Sequence, residues 1–267
     1  MSLLADAEDL LERASWDYFW VPDGVTVHDR PELLYLASAR DRTELNVVLR
    51  TAIEGVDLRA AVAEVGAAHR AVHSRWHVPS RPGSDRLSEV LHDHAYELNG
   101  EFDVRAIETR GYVSRAATGA RIVRVTDVQG LRDFIAVANA AFNRPRPRTE
   151  AELAAELAQC APADGRVPRF VAYLGDQPVA CGGLNAFDAL GLGFLWAGCT
   201  IAEARGRGLY SAVVSARIAW ARQRGLQLVG LHALTTTSSP VVAKQGFTRH
   251  GGLMHWERAP IRAKSEG

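Results

Sequence analysis

From Leu209 onward, apolar residues recur at Leu209, Ala212, Val213, Ala216 and Trp220, the spacing of one helical face, and Gly225 is placed to close that helix. The run before it, Leu190 to Ile201, carries no charge and reads as a buried strand; the run after it, Leu226 to Leu234, reads as another. Upstream, Phe170 to Leu174 and Pro178 to Leu184 flank Gly175-Asp176-Gln177, two strands around a tight turn. Arg121 to Val125 opens this series. A short helix after Thr235-Thr236-Thr237-Ser238-Ser239-Pro240, then Lys244-Gln245-Gly246-Phe247, and a strand around Leu253 to Arg258 end it.

The amino-terminal half has its own order. Residues 3 to 20 pattern as an amphipathic helix in which Trp16, Tyr18, Phe19 and Trp20 read as packing aromatics. Leu33 to Ala37 and Asn46 to Thr51 read as strands, Asp57 to Ala71 as a helix, Arg75-Trp76-His77-Val78-Pro79 as a strand stopped by proline, and Asp85 to Leu98 as a helix. Periodicity lapses over Ala116-Ala117-Thr118-Gly119-Ala120, which sets a boundary near residue 118. The expectation is an α/β protein with a mixed sheet, in two domains, 1–118 and 119–267.

The junction Ala204-Arg205-Gly206-Arg207-Gly208-Leu209-Tyr210-Ser211-Ala212 stands where the uncharged strand gives way to the helix. Unpaired N–H groups and the positive dipole end meet there, glycines let a ligand approach the main chain, and arginines add charge, so the expected ligand carries phosphate. A dinucleotide fold is excluded because Ser211 stands where a third glycine is needed and the strand Leu226 to Leu234 contains no acid. No Gly-Lys-Ser/Thr follows, which excludes a nucleoside-triphosphate loop.

Charge narrows the partners. The 267 residues carry 31 basic and 31 acidic side chains, so the net charge gives no case for nucleic acid or an anionic membrane, and a phosphate ligand must be held locally. Hydrophobic residues make up 47% of the chain, enough for packed cores. Cys160, Cys181 and Cys199 have neither the number nor the spacing of a disulfide framework or a cysteine zinc site. Asp6, Glu8 and Asp9 interrupt any signal-like core, and the apolar run Ala189 to Ala202 is too short to span a bilayer. The reading is a cytoplasmic protein, monomer or homodimer.

Taken in order, these elements and the motif Arg205-x-x-Gly208-x-Tyr210 resemble the GNAT superfamily of N-acetyltransferases, whose coenzyme A loop reads Arg/Gln-x-x-Gly-x-Gly/Ala; Gly246-Phe247 is similar to a second mark of that family. The resemblance covers about residues 119 to 260. Residues 1–118 resemble the smaller, degenerate half of tandem members. It implies a GNAT fold, acetyl-CoA as acyl donor, an amine acceptor of unknown identity, and no metal. It further implies that Cys199, Thr200 and Ile201 pair through their main chain with the pantetheine arm and thioester. Arg205, Gly206, Arg207, Gly208, Leu209, Tyr210 and Ser211 would hold the pyrophosphate. Thr235 stands at the strand end where the family often has asparagine.

Two positions depart from the family. Tyr210 replaces the small residue of the loop, and Val242 stands where a tyrosine usually protonates the leaving thiolate. Ser239 is a candidate donor, or a plain helix cap. His232 is a candidate base, or a hydrogen-bonded core histidine. Tyr173, Tyr210 and His255 are further candidates, and Cys199 is an acyl carrier only if exposed. Besides acyl transfer, a non-catalytic acyl-CoA-binding module fits the Val242 departure. A metal site on His69, His73, His77, His92 and His94 is a third reading, with His69 and His73 stacked on one helical face.

Overall fold

The computed structural model describes residues 3–17, 21–143, 145 and 147–261. Its elements in the amino-terminal part are α1 (Ala7–Trp16), β1 (Val25–Arg30), β2 (Leu33–Ser38), β3 (Val47–Thr51), α2 (Leu58–Ala68), β4 (Ser74–Pro79), α3 (Ser84–Asp93) and β5 (Glu97–Glu108). There follow β6 (Ala120–Arg124), α4 (Val128–Phe142), α5 (Glu150–Cys160), β7 (Arg169–Leu174), β8 (Gln177–Phe187) and β9 (Leu192–Thr200). The last elements are α6 (Leu209–Gln223), β10 (Leu228–Leu234), α7 (Ser238–Ala243) and β11 (Thr248–Arg258). Tyr18, Phe19 and Trp20 lie outside the described residues.

The chain packs as two compact units whose segments interleave. One takes the segment up to Ala14, Arg105–His232 and Pro240–Arg249; the other takes Ser15–Val104, Ala233–Ser239 and the residues from His250 onward. In the first, the strands lie in the order β10-β9-β8-β7-β6, with β9 and β10 parallel and the remaining pairs antiparallel. Successive side chains of β7 divide between the two faces. Val171 and Tyr173 pack with Leu131, Phe134 and Val137 of α4, whereas Phe170 and Ala172 pack with Leu209 and Val213 of α6. This period of two is what a strand covered by helices on both sides requires.

In the second unit β1-β2-β3-β4-β11 lie side by side, β3 and β4 being the parallel pair. Trp76 and Val78 of β4 are fully buried among Leu58, Val62 and Val65 of α2 and Leu87 and Leu91 of α3. Asp57 caps α2 by accepting from the Ala60 N–H at 3.0 Å.

Two expected helices end early. α2 stops at Ala68, so His69 is its C-cap and His73 lies beyond it. α3 stops at Asp93, and Ala95 at φ 61 turns the chain into β5. Residues 97–108 alternate Glu97, Asn99, Glu101, Asp103 and Arg105 with Leu98, Gly100, Phe102, Val104 and Ala106, a strand pattern that the helical reading through Leu98 overran.

Candidate active site

β9 and β10 pair over Leu228↔Leu192, Val229↔Gly193 and Gly230↔Phe194, and the ladder between them goes no further. Both strands run on, β9 to Thr200 and β10 to Leu234, so they part after three pairs. The opposite edge of β9 stays zipped to β8, with one slip. Between Gly183↔Trp196 and Cys181↔Cys199, β8 advances two residues and β9 three, which makes a bulge with Ala197 at φ 48.

Main-chain polarity along β9 follows from this ladder. The Ile201 N–H donates to Val179 O at 3.0 Å. It is therefore spent, and Ile201 does not offer the amide expected of it. Antiparallel alternation turns Thr200 the other way, its N–H and C=O facing the side from which β10 has withdrawn, and brings Cys199 back toward Cys181. Of the three expected main-chain partners, only Thr200 faces the opening. The Cys199 side chain is 8% exposed with its Sγ 3.5 Å from Cys181 Sγ. That S–H···S contact and burial push the Cys181 thiol well above its usual range, and the pair reads as a packed dithiol rather than an acyl carrier.

After β9 a short turn at Ala202–Ala204 leads to Arg205, whose Nε donates to Thr200 O at 3.3 Å. Gly206 and Gly208 hold φ of 76° and 75°, a left-handed conformation that residues with a Cβ rarely adopt. The first N–H of the region to find a main-chain acceptor is that of Ala212, to Gly208 O at 3.0 Å. Among the described residues the N–H groups of Gly206, Arg207, Gly208, Leu209, Tyr210 and Ser211 make no hydrogen bond. Residues 205–208, both arginines among them, are exposed, Leu209 is buried and Tyr210 and Ser211 are half-buried, and the run of unspent amides stands at the positive end of a 15-residue helix.

His232 lies two residues beyond the last β9–β10 pair, edge-on to Phe194 with ring centroids 5.0 Å apart. It is half-buried. Burial lowers its pKa to about 4, so the imidazole is neutral at physiological pH. Thr235 and Ser239 belong to the other unit, where the Thr235 N–H donates to Glu101 O at 3.0 Å and the Ser239 hydroxyl donates to Asp103 Oδ2 at 2.5 Å. Ser239 is the second residue of α7 rather than its cap, and its proton is already engaged by a carboxylate. Val242 is fully buried.

The histidine series does not converge. His69 Nε2 is 2.8 Å from Leu36 O and its Nδ1 2.7 Å from Ser74 Oγ; His73 Nδ1 is 2.8 Å from Asp41 Oδ1; His77 stacks on His255 at 4.3 Å. No group of three possible metal ligands comes together among the described residues. Two features of the site escaped the sequence reading, the bulge at Ala197 and Arg217 of α6, which is 1% exposed beneath it. A signal for Arg217 was present, a cation one turn past Val213 on an apolar helical face.

A parallel strand pair that parts beside a bulged strand, followed by a glycine loop and a helix with open amides, defines an acyltransferase fold of the GNAT class. Residues 132–250 match the model of the acetyltransferase (GNAT) family, and the chain carries a domain of that family. Across its length the chain is similar to a solved GCN5-related N-acetyltransferase from Kribbella flavida, with 17% identity, 96% of each chain covered and a TM-score of 0.66. It is also similar to a GCN5-related N-acetyltransferase from Sphaerobacter thermophilus, with 16% identity, 98% of this chain and 93% of that one covered, and a TM-score of 0.62. A third likeness is to a tandem GNAT protein from the clavulanic acid biosynthesis pathway, with 10% identity, 95% and 89% covered, and a TM-score of 0.61. At these identities the likeness is one of fold. A search of curated proteins finds no sequence match to the chain.

Proposed function

We propose that the protein moves an acetyl group from acetyl-CoA to a primary amine by direct attack on the thioester. The observation that carries this reading is the run of unspent amides from Gly206 to Ser211 beside the parted strands β9 and β10. Those amides, with Arg205 and Arg207, take the pyrophosphate; the pantetheine arm lies along β9 against the main chain of Thr200. The amine lone pair adds to the carbonyl carbon, the oxyanion collapses, the C–S bond breaks, and the thiolate takes a proton.

His232, neutral above about pH 4, accepts the proton from the attacking nitrogen. With Val242 apolar and the Ser239 hydroxyl engaged by Asp103, the thiolate takes its proton from water. Residues 1–118 form a degenerate GNAT-like domain, and 119–267 carry the chemistry. The three cysteines are free and buried, in keeping with a cytoplasmic enzyme.

Thiol release from acetyl-CoA, followed over a panel of amines, tests the reading, with acetyl-CoA affinity measured by calorimetry. Turnover is expected with at least one amine, and Arg207→Glu is expected to weaken acetyl-CoA binding at least about tenfold by placing a negative charge at the phosphate loop. Unchanged affinity in that variant removes the loop assignment. The buried Val242 favours one second reading, a non-catalytic acyl-CoA-binding module, which predicts tight binding with no turnover on any amine.

A further inference from the structure

Arg217 is a buried cation with an unusual set of partners. Its Nε donates to Val213 O at 3.3 Å, and its Nη1 donates to Gly183 O at 3.1 Å and Trp196 O at 3.3 Å, while Nη2 has no partner among the described residues. The titratable groups that act on it are phenols and thiols, Tyr210, Tyr112, Cys181 and Cys199, with no carboxylate among them. The chain makes room for it with glycine. A Cβ on Gly182 would lie 2.7 Å from the guanidinium carbon, and one on Gly198 would lie 3.0 Å from Nη2.

Stability does not account for this arrangement. Burying a charge without a counter-charge is costly, and an apolar side chain of similar volume commonly serves a core as well or better. What an apolar side chain cannot do is bond carbonyl oxygens. Arg217 Nη1 bonds both carbonyls of Gly183↔Trp196, the pair at which the β9 register slips. A trans peptide holds its N–H antiparallel to its C=O. Fixing the Trp196 oxygen from the β8 side therefore aims the Ala197 N–H toward the side from which β10 has withdrawn.

We propose that Arg217 is the positioning residue of acyl transfer: it locks the β9 bulge so that the Ala197 N–H is pre-aimed at the thioester carbonyl of acyl-CoA. The inference rests on the acyl-transfer reading above. As nitrogen adds and the carbonyl oxygen gains negative charge, a donor already fixed in place needs no reorganisation, which is where such groups gain their effect. Arg217 itself touches neither substrate nor reacting atoms.

The test is isotope-edited infrared spectroscopy of acetyl-CoA labelled with ¹³C at the carbonyl, bound to the full chain, alongside calorimetry and turnover. Bound to the wild type, the carbonyl band is expected below its frequency in free acetyl-CoA. In Arg217→Met the coenzyme still binds through the phosphate loop, but the band returns to the free position. There kcat falls about 10²–10³-fold, the scale of one lost oxyanion donor, while KM for acetyl-CoA holds. Arg217→Lys, which keeps a donor, is expected to recover part of the shift. If Arg217→Met does not fold, Gly182→Ala displaces the guanidinium while keeping its charge, and it must also lose the band shift. A folded Arg217→Met or Gly182→Ala protein with a wild-type band overturns the proposal and leaves the acyl-transfer reading standing, as does a wild type that binds acetyl-CoA with no shift. A wild type that does not bind acetyl-CoA overturns both.

Discussion

At the scale of single residues, burial decides what each titratable group can do, and His69 shows it most directly. It is fully buried, with Nε2 against Leu36 O and Nδ1 against Ser74 Oγ, which is in turn 2.8 Å from the Tyr96 hydroxyl. The carbonyl accepts, so Nε2 carries the proton and the ring is neutral. Desolvation lowers its pKa from 6.5 to about 4. A group depressed in the folded state contributes stability above its unfolded pKa and loses it as pH falls toward the folded one, so the loss lies between pH 6.5 and about 4. A shift of this size is worth up to about 3 kcal/mol. His232 shifts in the same direction and adds to the slope. The paired carboxylates Asp41, Glu64, Glu156 and Asp188 are held below their ordinary values, 3.8 for the aspartates and 4.5 for the glutamates, so their losses come at more acid pH. Urea unfolding at pH 7 and pH 5 separates the two sets. The wild type is expected to be weaker at pH 5, and His69→Gln to show a smaller difference between the two; an equal difference would contradict the account.

At the scale of elements, the sequence was most legible where one signal dominated. The helix at 209–223, the strands around it and the glycine loop follow from a helical stripe, an uncharged run and two glycines, and all appear where expected. β5 was hidden because its alternation is written in charged residues at a helix end, and β1 because a short half-exposed strand leaves a weak pattern. The loop amides were legible because they depend on local chain geometry. The Ala197 bulge and the Asp103–Ser239 bond were not, since each depends on what a distant segment places opposite. α1 makes the same point with a measurable consequence. Its Leu11 is fully buried, and a Cβ on Gly230 would lie 2.6 Å from Leu11 Cδ2, so the side chain packs directly on the last residue of β10 paired to β9. Leu11→Ala leaves a cavity there and is expected to cost about 2–5 kcal/mol in urea unfolding. A cost well below about 1 kcal/mol would mean that α1 does not help hold β10.

At the scale of the whole molecule, 31 basic and 31 acidic residues cancel, so no long-range field draws a polyanion to the chain and affinity must be local. The groups proposed to hold acetyl-CoA, from Ala197 to Ser211, all lie in the unit that contains Arg105–His232. A ligand that binds only the folded form of that unit stabilises it by about 2.7 kcal/mol at a concentration of 100 Kd. With two compact units, a single all-or-none transition is not guaranteed. The expected outcome in a thermal melt is therefore specific. Acetyl-CoA raises the melting of the unit bearing α6, either as one of two resolved transitions or as the whole curve if the units unfold together. Hydrogen exchange distinguishes the cases, because new protection should centre on the amides of Gly206 to Ser211 and on β9. Protection centred instead on residues 15–104 would move the coenzyme site to the other unit, and the loop at Gly206 and Gly208 would then be a turn with no ligand of its own.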